Sequence, residues 1–343
     1  NSIARIIAKI LVPDTEKVRN VSIYDPSAGS GTLLLALAHE IGEEDCTLYT
    51  QDISQKSNEF LRLNLILNNL VHSLDNVVHG NTLLNPAHLN KEGNKLAQFD
   101  YIVSNPPFKT DFSDYRDKLE DDKYSDRFFS GVPQIPANKK ESMPIYLLFI
   151  QHILYSLKDS GKAAIVVPTG FLTGKSKIEM KIRDEIISNN WLRGAISMPA
   201  NIFATTGTNV SIIFIDKSNN KDTVLLMDAS NLGEKYKEGK NQKTKLSYEE
   251  INKIINCFNN FEEIEKFSIC VSKQEIISKK LSFSAGQYFK IKIEYKEFTK
   301  EEFIKEINDI TTEINSIVIE NEKLMSEINE NIKKVKYYEN DKD

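Results

Sequence analysis

The sequence predicts an α/β protein: a seven-stranded, mostly parallel sheet with an antiparallel last strand, helices on both faces, and a C-terminal helical extension. Two observations predict the sheet. From residue 21 to 197, short apolar runs alternate with helix-period segments, as in a parallel sheet covered on both sides. The seventh run then follows the sixth with no helix between them, and so short a connection cannot make a parallel crossover. A third observation predicts the extension. From residue 299 apolar residues recur at alternating steps of four and three, the spacing of a coiled-coil seam.

Each element has a local reason. The opening NSIARIIAKILVP places Ile3, Ile6, Ile7 and Ile10 on one helical face, and with no initiating Met it reads as a start inside a longer protein. Residues 21–25 (VSIYD) read as the first strand and 31–41 as the helix after it. Residues 47–51 and 56–70 repeat that pair, and 76–79 form a short third strand. The fourth strand, 99–104 (FDYIVS), stops at Asn105-Pro106-Pro107-Phe108, where two prolines can neither join a ladder nor continue a helix. Residues 110–142 are polar, hold aromatic residues without period, and read as a functional loop that orders on substrate. An apolar-faced helix over 144–157 ends at Lys158-Asp159-Ser160-Gly161. Then come a strand at 162–167 (KAAIVV), a helix at 178–188, and strands at 192–197 and 209–215.

After residue 217 the composition shifts. Residues 218–295 read as an appended segment, with one more strand at 223–227 and an amphipathic helix near 248–258. Residues 296–343 read as a long helix. Its seam is Phe303, Ile307, Ile310, Ile314, Ile317, Asn321, Leu324, Ile328, Asn331 and Val335, apolar except for two asparagines of the kind that fix register. The chain thus divides into 1–217, 218–295 and 296–343.

Composition bounds the function. With 343 residues, 40% hydrophobic and 27% charged, this is an ordinary globular composition. A net charge of −5 argues against a chain that grips nucleic acid alone by bulk charge, while leaving room for a local basic face or a partner. Cys46, Cys257 and Cys270 have no pairing or metal-like spacing, and the five histidines form no ligand motif, so no metal is expected. No apolar run is long enough to span a membrane and no signal peptide is visible, which points to the cytoplasm.

Two constellations carry chemistry. Asp25-Pro26-Ser27-Ala28-Gly29-Ser30-Gly31 ends the first strand and opens the first helix, where small residues let the backbone approach a ligand and the helix start offers free N–H groups. The third glycine of a nicotinamide-dinucleotide turn is missing, and so is the Gly-Lys-Ser/Thr of a P-loop. The second strand ends on Asp52, a carboxylate suited to a ribose diol. Gly80-Asn81-Thr82-Leu83, after the third strand, is placed to flank an adenine ring. The second constellation is Asn105-Pro106-Pro107-Phe108 itself.

DPSAGSG, then Asp52, then NPPF in this order resembles the S-adenosylmethionine-dependent amino-methyltransferases of DNA, in the arrangement called gamma. VSIYDPSAGSGTLLL, NLILNNL, FDYIVSNPPF, AAIVVPTGFL and MPANIFATTGTNVSIIFIDK together resemble the modification subunit of type I restriction-modification systems, over residues 1–290. The resemblance implies a Rossmann-like methyltransferase fold and methyl transfer to N6 of adenine (EC 2.1.1.72 type). It implies S-adenosylmethionine held by Asp25, Ser27, Ala28, Gly29, Ser30, Gly31, Asp52, Asn81 and Thr82. It gives the catalytic role to Asn105, Pro106, Pro107 and Phe108. The implied partners are DNA presenting a flipped adenine, a specificity subunit and a restriction subunit, with two modification subunits per complex. Asn81 stands where the family has Asp, and Asp52 where many members have Glu.

The chemistry fits those residue types. An exocyclic amine is a weak nucleophile because its lone pair is delocalised into the ring. The Asn105 side-chain oxygen and the Pro106 carbonyl can accept its hydrogens, fixed in place by the prolines. Phe108 offers a stacking face for a flipped base. Two other readings stay open: a methyltransferase acting on a protein glutamine or an RNA base, which commonly carries Tyr at the Phe108 position, and a catalytically degenerate scaffold.

Overall fold

The computed structural model describes residues 2–13, 17–202, 209–239, 241–290 and 299–334. They fall into two compact units, residues 1–289 and 290–343.

In the first unit the seven expected strands form as β1 (Val21–Asp25), β2 (Cys46–Asp52), β3 (Val77–His79), β4 (Phe99–Ser104), β5 (Leu157–Pro168), β6 (Leu192–Ser197) and β7 (Val210–Asp216). Further strands are β8 (Thr223–Asp228), an exposed ribbon of β9 (Glu234–Glu238) and β10 (Asn241–Lys245), and β11 (Ser268–Ser272). The main sheet has nine strands in the order β11-β8-β6-β7-β5-β4-β1-β2-β3. β7 runs antiparallel to both β5 and β6, as its short connection requires. β1 to β6 and β8 all point one way, so their C-terminal ends share one edge. The sheet is wider than seven strands because the segment after residue 217 adds β8 and β11 to its side.

The helices are α1 (Ser2–Leu11), α2 (Thr32–Ile41), α3 (Gln55–Leu67), the short α4 (Arg116–Leu119), α5 (Tyr146–Ser156), α6 (Lys177–Ser188), α7 (Tyr248–Asn260) and α8 (Lys273–Ser278). One face of the sheet buries Ile3, Ile6, Leu34, Leu61, Ile254 and Phe258 from α1, α2, α3 and α7. The other buries Leu147, Ile150, Ile182, Ile186 and Ile276 from α5, α6 and α8. Burial on both faces explains why β4 and β5 read as continuous apolar runs.

Two segments differ from their sequence reading. Lys158–Gly161, read as a helix stop, lies within β5. Leu157 already pairs with Phe99, but the next rung is Lys162 opposite Tyr101, so the four residues between them bulge out of the ladder. Lys158 Nζ turns back to Asp100 at 2.8 Å. Residues 110–142, read as an aperiodic loop, fold round a core of their own. Phe112, Leu119, Phe128 and Val132 pack with Leu83 and with Leu148 and Phe149 of α5. Arg116 makes a two-pronged bond to Glu120 at 2.6 and 2.7 Å.

The second unit is α9 (Lys300–Lys334), a 35-residue helix. Thr299 caps it: its hydroxyl oxygen accepts from Glu302 N at 3.3 Å, while Glu302 Oε2 accepts from Thr299 N at 2.9 Å. The seam from Phe303 to Asn331 lies on this helix and is exposed. Val335 lies outside the described residues, as do residues 203–208 and 291–298.

Candidate active site

The glycine turn is built at the C-terminal end of β1. Asp25 is buried, and its Oδ1 accepts from Ser27 N at 2.9 Å. Burial raises its pKa to about 7, with the Ser27 N–H and the Ser104 hydroxyl opposing the rise. Gly31 has φ +83, and a Cβ there would run into the Leu61 side chain of α3. The turn is thereby pressed against α3, where Asn64 Nδ2 also donates to Ser30 O at 3.0 Å.

Three bonds tie this turn to the neighbouring strand ends. Gly29 N donates to Asp52 Oδ2 at 2.9 Å. Ser54 N takes the other oxygen, Asp52 Oδ1, at 2.8 Å, which leaves each carboxylate oxygen a further lone pair. Thr82 Oγ1 donates to Pro26 O at 2.7 Å. The Ser27 and Ser104 hydroxyls lie 2.8 Å apart, which links the glycine turn to the residue just before Asn105. Asn81 Oδ1 accepts from Leu83 N at 3.0 Å and Leu84 N at 3.2 Å. A carboxylate could make the same two bonds, so Asn in place of Asp keeps the local turn.

These residues surround a cavity of about 430 Å³. Of the sequence-predicted residues, Ser27, Asp52, Asn81, Thr82, Asn105 and Pro107 line it. Asp25, Ala28, Gly29, Ser30, Gly31, Pro106 and Phe108 do not; they support the wall or flank it. Asn105 is exposed and its amide bonds to no described residue. Pro106 is buried, and Phe108 is half-buried, edge-on to Tyr146 at 6.3 Å between ring centres. The Tyr146 hydroxyl in turn donates to Glu179 Oε1 at 3.0 Å.

Sequence reasoning missed several lining residues. Ile53 is 68% exposed, an anomaly for an isoleucine that directly follows Asp52. Tyr115 arrives from the 110–142 segment. Burial raises its pKa, and a hydrogen bond to the Asn81 side chain partly offsets this. Its aromatic character within a polar stretch is the one signal the sequence offers. Leu83, Ile145 and Phe149 complete the apolar side. A larger cavity of about 580 Å³ lies at the opposite edge of the sheet, among Lys95, Gln98, Trp191 and Lys217, and no motif residue reaches it.

A sheet ordered β6-β7-β5-β4-β1-β2-β3 with β7 reversed, and a cavity between a glycine turn and Asn-Pro-Pro-Phe at its C-terminal edge, give the chain the Rossmann-like methyltransferase fold. The chain belongs to the N-6 DNA methylase family, whose model matches residues 1–297. It is 30% identical over 331 residues to the type I restriction enzyme MpnII methylase subunit of Mycoplasma pneumoniae, covering 92% of this chain and 58% of that one. It is 27% identical to the MjaIX methylase subunit of Methanocaldococcus jannaschii, over 95% of this chain and 57% of that one. The chain spans little more than half the length of these curated relatives. Among solved structures, the type I restriction-modification methyltransferase subunit from Streptococcus thermophilus superposes with a TM-score of 0.70 at 24% identity, over 84% of this chain and 58% of that one. That likeness is one of fold. Among the described residues no helix is long and apolar enough to cross a membrane.

Proposed function

We propose that this chain is the catalytic part of a type I modification subunit and transfers a methyl group from S-adenosylmethionine to N6 of adenine in DNA. The observation that carries the reading is the free, exposed Asn105 amide on the same cavity as Asp52, Ser27 and Thr82. The residues present fit the cofactor. Asp52 keeps a lone pair on each oxygen for a ribose diol, Ile53 and Leu83 supply apolar surface for an adenine ring beside Asn81, and small residues at 27–31 leave room for the amino-acid tail. Bound there, S-adenosylmethionine would supply an electrophilic sulfonium methyl.

The chain's own contribution is positioning. Asn105 and Pro106 accept the two hydrogens of the target amine, which turns its lone pair toward the methyl donor. Phe108, braced by Tyr146, gives the flipped base a ring to stack on. The Ser27–Ser104 bond holds the cofactor turn and the NPPF stop in one register. The names of the relatives support the same reading. It places the chain in the cytoplasm, with a specificity subunit supplying target recognition, a restriction subunit, and two modification subunits per complex.

The test is Asn105→Ala in the assembled complex, with labelled S-adenosylmethionine and host-sequence DNA. Label should enter adenine with the wild type and fall at least about 100-fold in the variant. Thermal unfolding and cofactor binding should be unchanged, because the amide is exposed and unbonded. Retained methylation in the variant would overturn the role given to Asn105. Label in protein or RNA but not in DNA would overturn the substrate.

A further inference from the structure

The ribbon of β9 and β10 is exposed over β9 and buries only Thr244 fully among the described residues of β10. All five residues of β9 are exposed, and so are Gln242 and Lys245 of β10. A two-stranded ribbon with no apolar face contributes little to folding. Its charge stands apart from the chain's: residues 234–245 hold five lysines against two glutamates, net +3, in a chain of net −5. Lys243 pairs with Glu238, while Lys235, Lys237 and Lys245 pair with no described acid. Lys235 and Lys237 lie on one face of the ribbon; Lys245, opposite Glu234, lies on the other with Tyr236, which is 41% exposed.

The base of the ribbon is fixed. Thr244 Oγ1 donates to Ala200 O at 2.7 Å and Thr244 N to Asn201 O at 3.1 Å. Gly233 N donates to Glu250 Oε1 at 2.8 Å. Ala200 and Asn201 follow the C-terminal end of β6, and the ribbon itself follows the C-terminal end of β8. Both ends lie on the edge where β4 delivers Asn105. β8 is four places from β4 in the sheet, or about 19 Å at the usual strand spacing. That is about five to six base pairs along a duplex.

We propose that the β9–β10 ribbon is a DNA-backbone arm whose Lys235, Lys237 and Lys245 contact phosphates flanking the target adenine. The proposal rests on the DNA-methylation reading. It explains how a chain of net negative charge meets a polyanion: a local basic arm on the reacting edge supplies the contacts. Phosphate contacts carry no sequence information, so the arm would hold the duplex over the cavity and leave target choice to another element.

The test is the K235Q/K237Q/K245Q variant, assembled into the full complex, with duplex DNA binding followed by fluorescence anisotropy across a range of KCl. Affinity at about 0.1 M salt should fall about 10- to 100-fold, and the slope of log K against log salt should shrink by about 2 to 3. Thermal unfolding and S-adenosylmethionine affinity should match the wild type, since the three side chains are exposed. An unchanged affinity and slope in the variant, with the wild type binding normally, would overturn the arm and leave the methylation reading standing. Loss of co-elution with the specificity subunit at an unchanged salt slope would assign the ribbon to a protein interface, which also overturns it. A wild-type complex that binds no DNA would sink both.

Discussion

At residue 25 a carboxylate lies buried beneath the glycine turn, and burial raises its pKa from 3.8 to about 7. Between those values the folded chain keeps a proton that the unfolded chain has released. Stability therefore falls as pH rises through this window, because the unfolded state binds fewer protons. Asp25→Asn removes the effect while keeping an acceptor for Ser27 N. The variant's advantage over wild type should grow from nil near pH 4 to about 2–4 kcal/mol above pH 7, read by urea unfolding at several pH values. A difference that stays flat with pH would mean that the fold holds Asp25 charged. Other residues of the site divide by how they declare themselves in sequence. Asp52 and Asn105 stand out because a polar side chain at the end of an apolar strand has no packing reason to be there. Ile53 and Tyr115 do not, since an apolar or aromatic side chain reads as core until the fold places it against a cavity.

At the scale of elements, α3 and the glycine turn are built against each other. Gly31→Ala forces a side chain into left-handed backbone at φ +83 and into Leu61. The expected loss is about 2–4 kcal/mol, from backbone strain plus overpacking. Because the turn also holds Asp52 through Gly29 N, cofactor affinity should fall with it. Calorimetry on the variant checks this, and wild-type affinity would show that the turn tolerates a shift of α3. The elements that could be read from sequence are those with one clear environment. β4 and β6 form over the residues their apolar runs mark out, 99–104 and 192–197, because central strands are apolar on both faces. The ribbon of β9 and β10 could not be read, since it has neither an apolar face nor an alternation to detect. The boundary between α5 and β5 was misplaced because Lys158–Gly161 has turn composition, and its turn is made as a bulge within a strand. The 110–142 segment hides its small core because Phe112, Leu119 and Phe128 follow no period; they converge only once the segment packs on α5.

At the scale of the whole molecule, α9 is the element with no internal reason to exist. Its 35 residues span about 52 Å. Phe303, Ile307, Ile310, Ile314, Ile317, Leu324 and Ile328 are each between 47% and 58% exposed, so the seam buries itself against nothing in its own unit. Most helical stability comes from tertiary packing of an apolar face, and we infer that a partner helix supplies it here. Asn321 and Asn331 break the seam where a polar pair would fix register and choice of partner. In the proposed complex that partner is a helix of the specificity or restriction subunit. Deleting residues 300–343 should leave the first unit folded and able to bind S-adenosylmethionine, while co-elution with the other subunits in gel filtration weakens. Ile310→Asp with Ile317→Asp should weaken assembly in the same way by placing two charges in the seam, whereas polar changes on the opposite face should not. Asn321→Leu separates packing from specificity. It should tighten helix association and relax its register, so that complexes of altered stoichiometry appear at equal protein concentration. Full assembly after the deletion would move the docking surface to the first unit. There the exposed Phe60, Leu63 and Leu67 of α3 would be the next residues to change.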